Sequence, residues 1–213
     1  MFYAYINYIC TLRLLLYISS LLAVLQLQAG TSKDSLLMIW NNPDMPSTVR
    51  LHAIEEISTT VYQRTNPDSA YYYAKLQYDY AVETKSEVYK ASALRIQGHA
   101  LRLMGNSTLA LRILDEAIDI YTRLGDKAGI ADILHLIGAI HIDQANHPRA
   151  LPFLQRAHEL RLQVGDRYEI ARSYNTLGYL YDDAGEYEKA LAHHNKCLAI
   201  RKEINDLQGI SWC

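Results

Sequence analysis

Cysteine is scarce in this chain, and the little there is does not cluster. Cys10, Cys197 and Cys213 are the only three in 213 residues, and none belongs to a C-x-x-C pair. That excludes a disulfide framework and leaves the redox compartment open. Glycine and proline are also sparse, at ten and five residues, and nothing suggests wholesale disorder. Neither charge sign is in excess. The formal net charge is -2, so no broad basic field exists to hold nucleic acid. Phosphate-cradling loops are missing too: Gly125-Asp126-Lys127-Ala128-Gly129 has neither the Walker nor the G-x-G-x-x-G spacing. No G-x-S-x-G nucleophile motif occurs. What is present is a half-hydrophobic sequence, long enough for a substantial core.

The N-terminus is the one apolar stretch of any length. From Met1 to Ala29 the single charged side chain is Arg13, and Leu14 to Ala29 is apolar apart from two Ser and two Gln. A short apolar run behind a positive charge, closing on Gln28-Ala29-Gly30, reads residues 1–29 as a cleaved export signal. It is shorter than the roughly 20 residues of a comfortable membrane span. An uncleaved membrane anchor and a buried helix are the alternatives. Export predicts a periplasmic or membrane-associated protein; a retained or mis-started N-terminus predicts a cytoplasmic one. Residues 30–46 read as a polar linker.

Beyond the linker the chain repeats every forty residues. Ala70, Ala110, Ala150 and Ala190 form one column. Twelve residues earlier stand Gly98, Gly138 and Gly178, with Ser58 in the first copy, and seven later stand Gln77, Ala117, Ala157 and Cys197. Four copies follow, 49–88, 89–128, 129–168 and 169–208. Residues 209–213 align with the opening of a copy, as the start of a truncated fifth repeat. A fixed period in this range marks a stacked-repeat architecture.

Each copy holds two amphipathic helices. In the third, Ala131, Leu134, Ile137, Gly138 and His141 share one face, and Ala150, Phe153, Leu154, Ala157 and Leu160 share another. Asn66, Asn106 and Asn146 recur between the two helices, where an Asn side chain accepts the free N–H groups of a first turn. Gly125-Asp126, Gly165-Asp166 and Asn205-Asp206 separate successive copies. Gly and Asn tolerate the left-handed conformation that ends a helix, and Asp caps the next. The fold class is therefore an all-α solenoid of stacked antiparallel helix pairs.

These columns resemble the tetratricopeptide-repeat family. Leu134, Gly138, Ala150 and Ala157 carry its pattern best, followed by Tyr174, Gly178, Ala190 and Cys197. The runs Asn175-Thr176-Leu177-Gly178-Tyr179 and Glu186-Tyr187-Glu188-Lys189-Ala190-Leu191 look much like its consensus. The resemblance implies a right-handed α-solenoid that binds a protein or peptide partner, uses no cofactor and catalyses nothing. The period departs from the family's 34 residues. The long period, the Gly-Asp turns and Asn66-Pro67-Asp68-Ser69-Ala70 also resemble a narrower group. These are the repeat regions that precede cyclase or histidine-kinase domains in bacterial membrane signalling proteins. That narrower likeness implies the exported sensory or docking part of a longer signalling protein, with membrane attachment through its N-terminus or a missing C-terminal segment. Two alternatives are a free-standing cytoplasmic peptide-binding regulator and the input region of an enzyme whose catalytic domain lies beyond Cys213.

Two clusters invite a chemical reading. His193, His194 and Cys197 put soft ligands at i, i+4 on one helix, but a metal site needs three or four ligands and no second cluster supplies them. No metal is expected. Asp132, His135, His141 and Asp143 are acid–base types on one helix, without a nucleophile beside them. Asn106-Ser107-Thr108 is a formal glycosylation sequon, better explained by capping.

A binding groove is the stronger proposal. In the family, the first helices of successive repeats line a concave surface. The resemblance carries this over to His52, Glu55, Thr59 and Tyr62, then to Ser92, Arg95, His99 and Arg102. Asp132, His135, Ala139 and Ile142 follow, and Arg172, Asn175, Tyr179 and Asp182 complete the face. Arg95, His99 and Arg102 form a basic stripe that suits a carboxylate; Asn175 and Tyr179 are the foremost partner contacts. The alternative, solvated helix faces with no partner, stays open at this point.

Overall fold

A computed structural model describes residues 32–62 and 65–213; the expected export signal lies outside the described residues. Among the described residues ten α-helices follow one another: α1 (Lys33–Asn41), α2 (Ser47–Glu56), α3 (Pro67–Glu83), α4 (Glu87–Leu103), α5 (Ser107–Leu124), α6 (Lys127–Asp143), α7 (His147–Val164), α8 (Arg167–Asp183), α9 (Tyr187–Glu203) and the short α10 (Leu207–Ile210). No strand occurs among the described residues. From α2 to α10 every helix starts twenty residues after the last. The packing follows this register: α4 lies on α5, α6 on α7, α8 on α9, and each pair stacks on the next.

The caps explain the regularity. Asn66, Asn106 and Asn146 accept the backbone N–H groups of Ser69, Leu109 and Arg149. Asp126, Asp166 and Asp206 do the same for Gly129, Glu169 and Gly209. Each satisfies a donor that the helix itself leaves free. Gly125 and Gly165 close their helices in the left-handed region, at φ 68° and 86°, and Asn205 adopts φ 55°.

The small-residue columns sit at close helix crossings. Ala70, Ala110 and Ala150 are fully buried and Ala190 nearly so. A Cβ on Gly98 would stand 2.5 Å from the Leu114 side chain, and one on Gly138 2.7 Å from Leu154. The intimate partner of the glycine column is thus the Leu four residues past the Ala, while Ala150 contributes its backbone carbonyl, 3.5 Å away. In the fourth pair His194 takes that Leu's place over Gly178.

Two expectations need correcting. The segment read as a polar linker carries α1, capped by Ser32. Its apolar run Leu36-Leu37-Met38-Ile39-Trp40 was hidden between polar flanks. Leu36 packs with Ala53, Ile54 and Ile57, and Trp40 meets Tyr80 edge-on, with Arg50 over both rings. The second concerns cysteine: Cys197 and Cys213 are joined by a disulfide, with Cα atoms 5.9 Å apart. Sixteen residues separate them in sequence, but α9 and the helix that follows it pack side by side.

The first copy is also irregular. After α2 the chain forms a π-helical turn, Ile57–Tyr62. Ser58, Thr59 and Thr60 there each donate a side-chain hydroxyl to the carbonyl four residues back. Such back-bonding competes with the regular ladder and bends helices.

Candidate functional site

The first helices of successive copies share one face of the stack. Into it α4 projects Arg95, His99 and Arg102, α6 projects Asp132, His135 and Ala139, and α8 projects Arg172. Together with Leu136 they line a cavity of about 200 Å³. Seven of the sixteen groove positions read from the sequence therefore meet in one place. Asn175, Tyr179 and Asp182 lie outside this lining. Asn175 is half-buried and its Oδ1 has no hydrogen-bond partner. Tyr179 is exposed and donates its hydroxyl to the Trp212 carbonyl at 3.4 Å; Asp182 is exposed.

An ion network centred on buried Arg161 adjoins the cavity and shares Asp132 and Arg172 with its lining. Arg161, on α7 and only 2% exposed, pairs with Asp132 and with Glu169, both at 3.0 Å. Arg172 pairs with the same two carboxylates, at 3.2 and 2.8 Å. Two guanidiniums and two carboxylates thus neutralise each other across the junction of the third and fourth copies. Burial, with Arg172 next, pulls the Arg161 pKa down, against the two carboxylates. Burial pushes the Glu169 carboxyl up, against both arginines.

His135 faces this network, with its Nδ1 3.5 Å from Arg161 Nη1. Burial first, then Arg161, Arg172, Arg102 and His99, hold its pKa well below the usual imidazole range. At the other end Arg95 lies against the Tyr121 hydroxyl. Burial works against the Arg95 charge, but Tyr121, Asp132 and Glu55 more than offset it, and its pKa is raised. Burial likewise raises the Tyr121 phenol. Ser92 donates to Glu55 of α2 and stands 3.5 Å from Arg95. Arg102 reaches Asp143 at the rim, at 2.7 Å. The Nε atoms of Arg102 and Arg172 are buried without partners, so both retain unused donor capacity.

The other candidate clusters are absorbed by packing. His141 stacks on Phe153 and bonds Gln144, away from His135. His193 bonds the Lys189 carbonyl, and Cys197 is in the disulfide. Among the described residues no group of three His, Cys, Asp or Glu side chains is placed to hold a metal ion, and no helix is long and apolar enough to cross a membrane.

Sequence reasoning missed Arg161 and Glu169, because it searched only the groove positions of the first helices. One signal was available. Arg161 falls in the column of Ala81 and Tyr121, where a buried residue is expected, and an acidic residue follows eight positions later.

The tetratricopeptide-repeat profile matches residues 89–163 and again 129–203. These matches cover more than half of the chain, which belongs to the tetratricopeptide-repeat family. Solved structures share the architecture at low identity. BtubC from P. vanneervenii is 19% identical, with a TM-score of 0.64 over 81% of this chain and 71% of that one. Aspartyl phosphate phosphatase F from Bacillus subtilis is 14% identical, with a TM-score of 0.72 over 84% of this chain and 46% of that one. A Rap protein complexed with competence and sporulation factor is also 14% identical, with a TM-score of 0.72 over 78% and 46%. The chain spans about half the length of the last two. No curated protein matches its sequence.

Proposed function

We propose that this chain is a non-catalytic docking scaffold whose first-helix face grips an acidic protein or peptide segment. The observation that carries this is the convergence of Arg95, Arg102 and Arg172 on one cavity, with buried Nε donors on two of them unmatched. Guanidinium forks match carboxylate geometry. The face runs over three helices, which suits an extended segment or a partner helix better than a compact metabolite. A Rap protein of the same fold is complexed with competence and sporulation factor, which supports a partner bound by such a stack.

The long repeat period favours the narrower reading, the exported sensory or docking region of a bacterial signalling protein. The Cys197–Cys213 disulfide supports placement in an oxidising compartment, where such bonds persist.

Capture of partners from the native organism tests the scaffold. Arg102→Gln and Asn175→Ala should each weaken recovery while the fold stands; Glu188→Ala, on the outer helix α9, should not. Arg102 suits the test because its Asp143 partner is about half exposed, so that water can take over its pairing. Reversing Arg95 would instead set a carboxylate beside Glu55 and Tyr121. Equal recovery by wild type and both groove variants defeats the reading.

A further inference from the structure

We propose that the cavity between α4, α6 and α8 takes up one proton at His135 when it binds an acidic partner, so that its grip tightens as the pH falls. This rests on the acidic-partner reading above and adds a regulation to that site.

His135 lies in the cavity wall with arginines of α4, α7 and α8 about it. His99 and Arg102 approach from α4, Arg161 from α7 and Arg172 from α8, and Arg95 lines the same cavity. The nearby carboxylates are already engaged. On its own helix Asp132 accepts from Arg161 and Arg172, Glu169 of α8 is ion-paired with the same two arginines, and Asp143 is held by Arg102. Each of these three carboxylates thus already faces an arginine.

The tautomer follows from the contacts. A guanidinium has donors and no acceptor, so Nδ1, facing Arg161 at 3.5 Å, is the accepting nitrogen and the ring proton sits on Nε2. A carboxylate entering the cavity supplies a further negative charge. An opposite charge within a few ångströms favours the charged form of an ionisable group. A solvent proton then adds to Nδ1 and the long contact to Arg161 gives way; no other bond changes. By linkage, a complex that binds more protons than its free components gains affinity as the pH falls.

Titration calorimetry of the full chain with a hexa-aspartate peptide tests this. Its side chains stay ionised above about pH 5, since Asp titrates near 3.9. The measurement is made at pH 7.5, 6.5 and 5.5, at constant ionic strength, in pairs of buffers with different ionisation heats. The expected result is an affinity gain of about fivefold or more across that range, because one coupled proton allows up to tenfold per pH unit, with proton uptake from the buffer. His135→Gln should lose both the gain and the uptake, whatever its affinity at pH 7.5; His135→Asn replaces it should Gln unfold the chain. His99→Gln should keep both. Coupling that survives in the His135 variants overturns the assignment. Peptide binding by wild type without pH dependence overturns the coupling and leaves the acidic-partner reading standing. No binding at any pH overturns both.

Discussion

Arg161 and Glu169 meet across the junction of the third and fourth repeats, eight residues apart in sequence and 3.0 Å apart in space. The same two columns are filled differently at neighbouring junctions. Tyr121 covers Gly129, and Arg201 covers Gly209, each so closely that a Cβ on the glycine would collide with it. A large residue over a small one recurs at two junctions, and an ion pair replaces it at the third.

Because Arg161 is 2% exposed, its removal strands two carboxylates with one remaining arginine. Breaking a buried ion pair from one side costs about 3–5 kcal/mol. Arg161→Met should therefore lower stability by about 3 kcal/mol in denaturant titration. The triple variant Arg161→Met, Asp132→Asn, Glu169→Gln should recover part of the loss.

The glycine column predicts a size-swap. Gly98→Ala places its Cβ 2.5 Å from Leu114, and overpacking of that kind costs about 1–3 kcal/mol. Pairing it with Leu114→Val should restore part of the melting temperature. Full tolerance of Gly98→Ala alone would show that the two helices are not so close.

Ala145 occupies the turn between α6 and α7 at φ 54°, where Gly105 and Gly185 stand in the copies on either side. An L-residue in the left-handed region costs about 1–2 kcal/mol, and glycine's extra chain entropy offsets part of that. Ala145→Gly should stabilise the protein by about 0.5–1 kcal/mol, read as a higher denaturation midpoint.

Two histidines with lowered pKa values make stability depend on pH. Burial holds His135 well below the usual imidazole range, and burial with His193 lowers His158. Each binds its proton more tightly in the unfolded chain, near 6.5. Stability is therefore fully present above about pH 6.5 and is lost as the pH falls through that value. The loss is at most about 1.4 kcal/mol per unit for each proton. Half-buried Glu169, its carboxyl raised by burial, acts in the opposite direction. Denaturant titrations at pH 7.5 and 5.5 should show the loss, and His135→Gln should reduce it.

Most of the scaffold was legible because each column reports one physical constraint. Asn106 and Asp126 announced caps, Gly98 and Gly138 announced close crossings, and the spacing gave the register. The groove positions Arg95, His99, Arg102, Asp132, His135 and Arg172 followed from that register and the family resemblance. Three features escaped. Trp40 and Leu36 belong to a helix outside the repeat, so no column flagged them. Cys213 meets Cys197 through stacking, which a separation in sequence does not reveal. Arg161 reads as a surface charge on a second helix until its partners on α6 and α8 are placed.

Partner contact through the first-helix face is the central claim, and site-specific photo-cross-linking tests it most directly. Tyr179 on α8 and Tyr187 on α9 are both exposed, so p-benzoylphenylalanine can replace either with little disturbance. Irradiation in the native organism should yield a discrete adduct from position 179 and none from 187, and Arg102→Gln should diminish it. An adduct from 187 alone, or one from 179 indifferent to Arg102→Gln, would contradict the account.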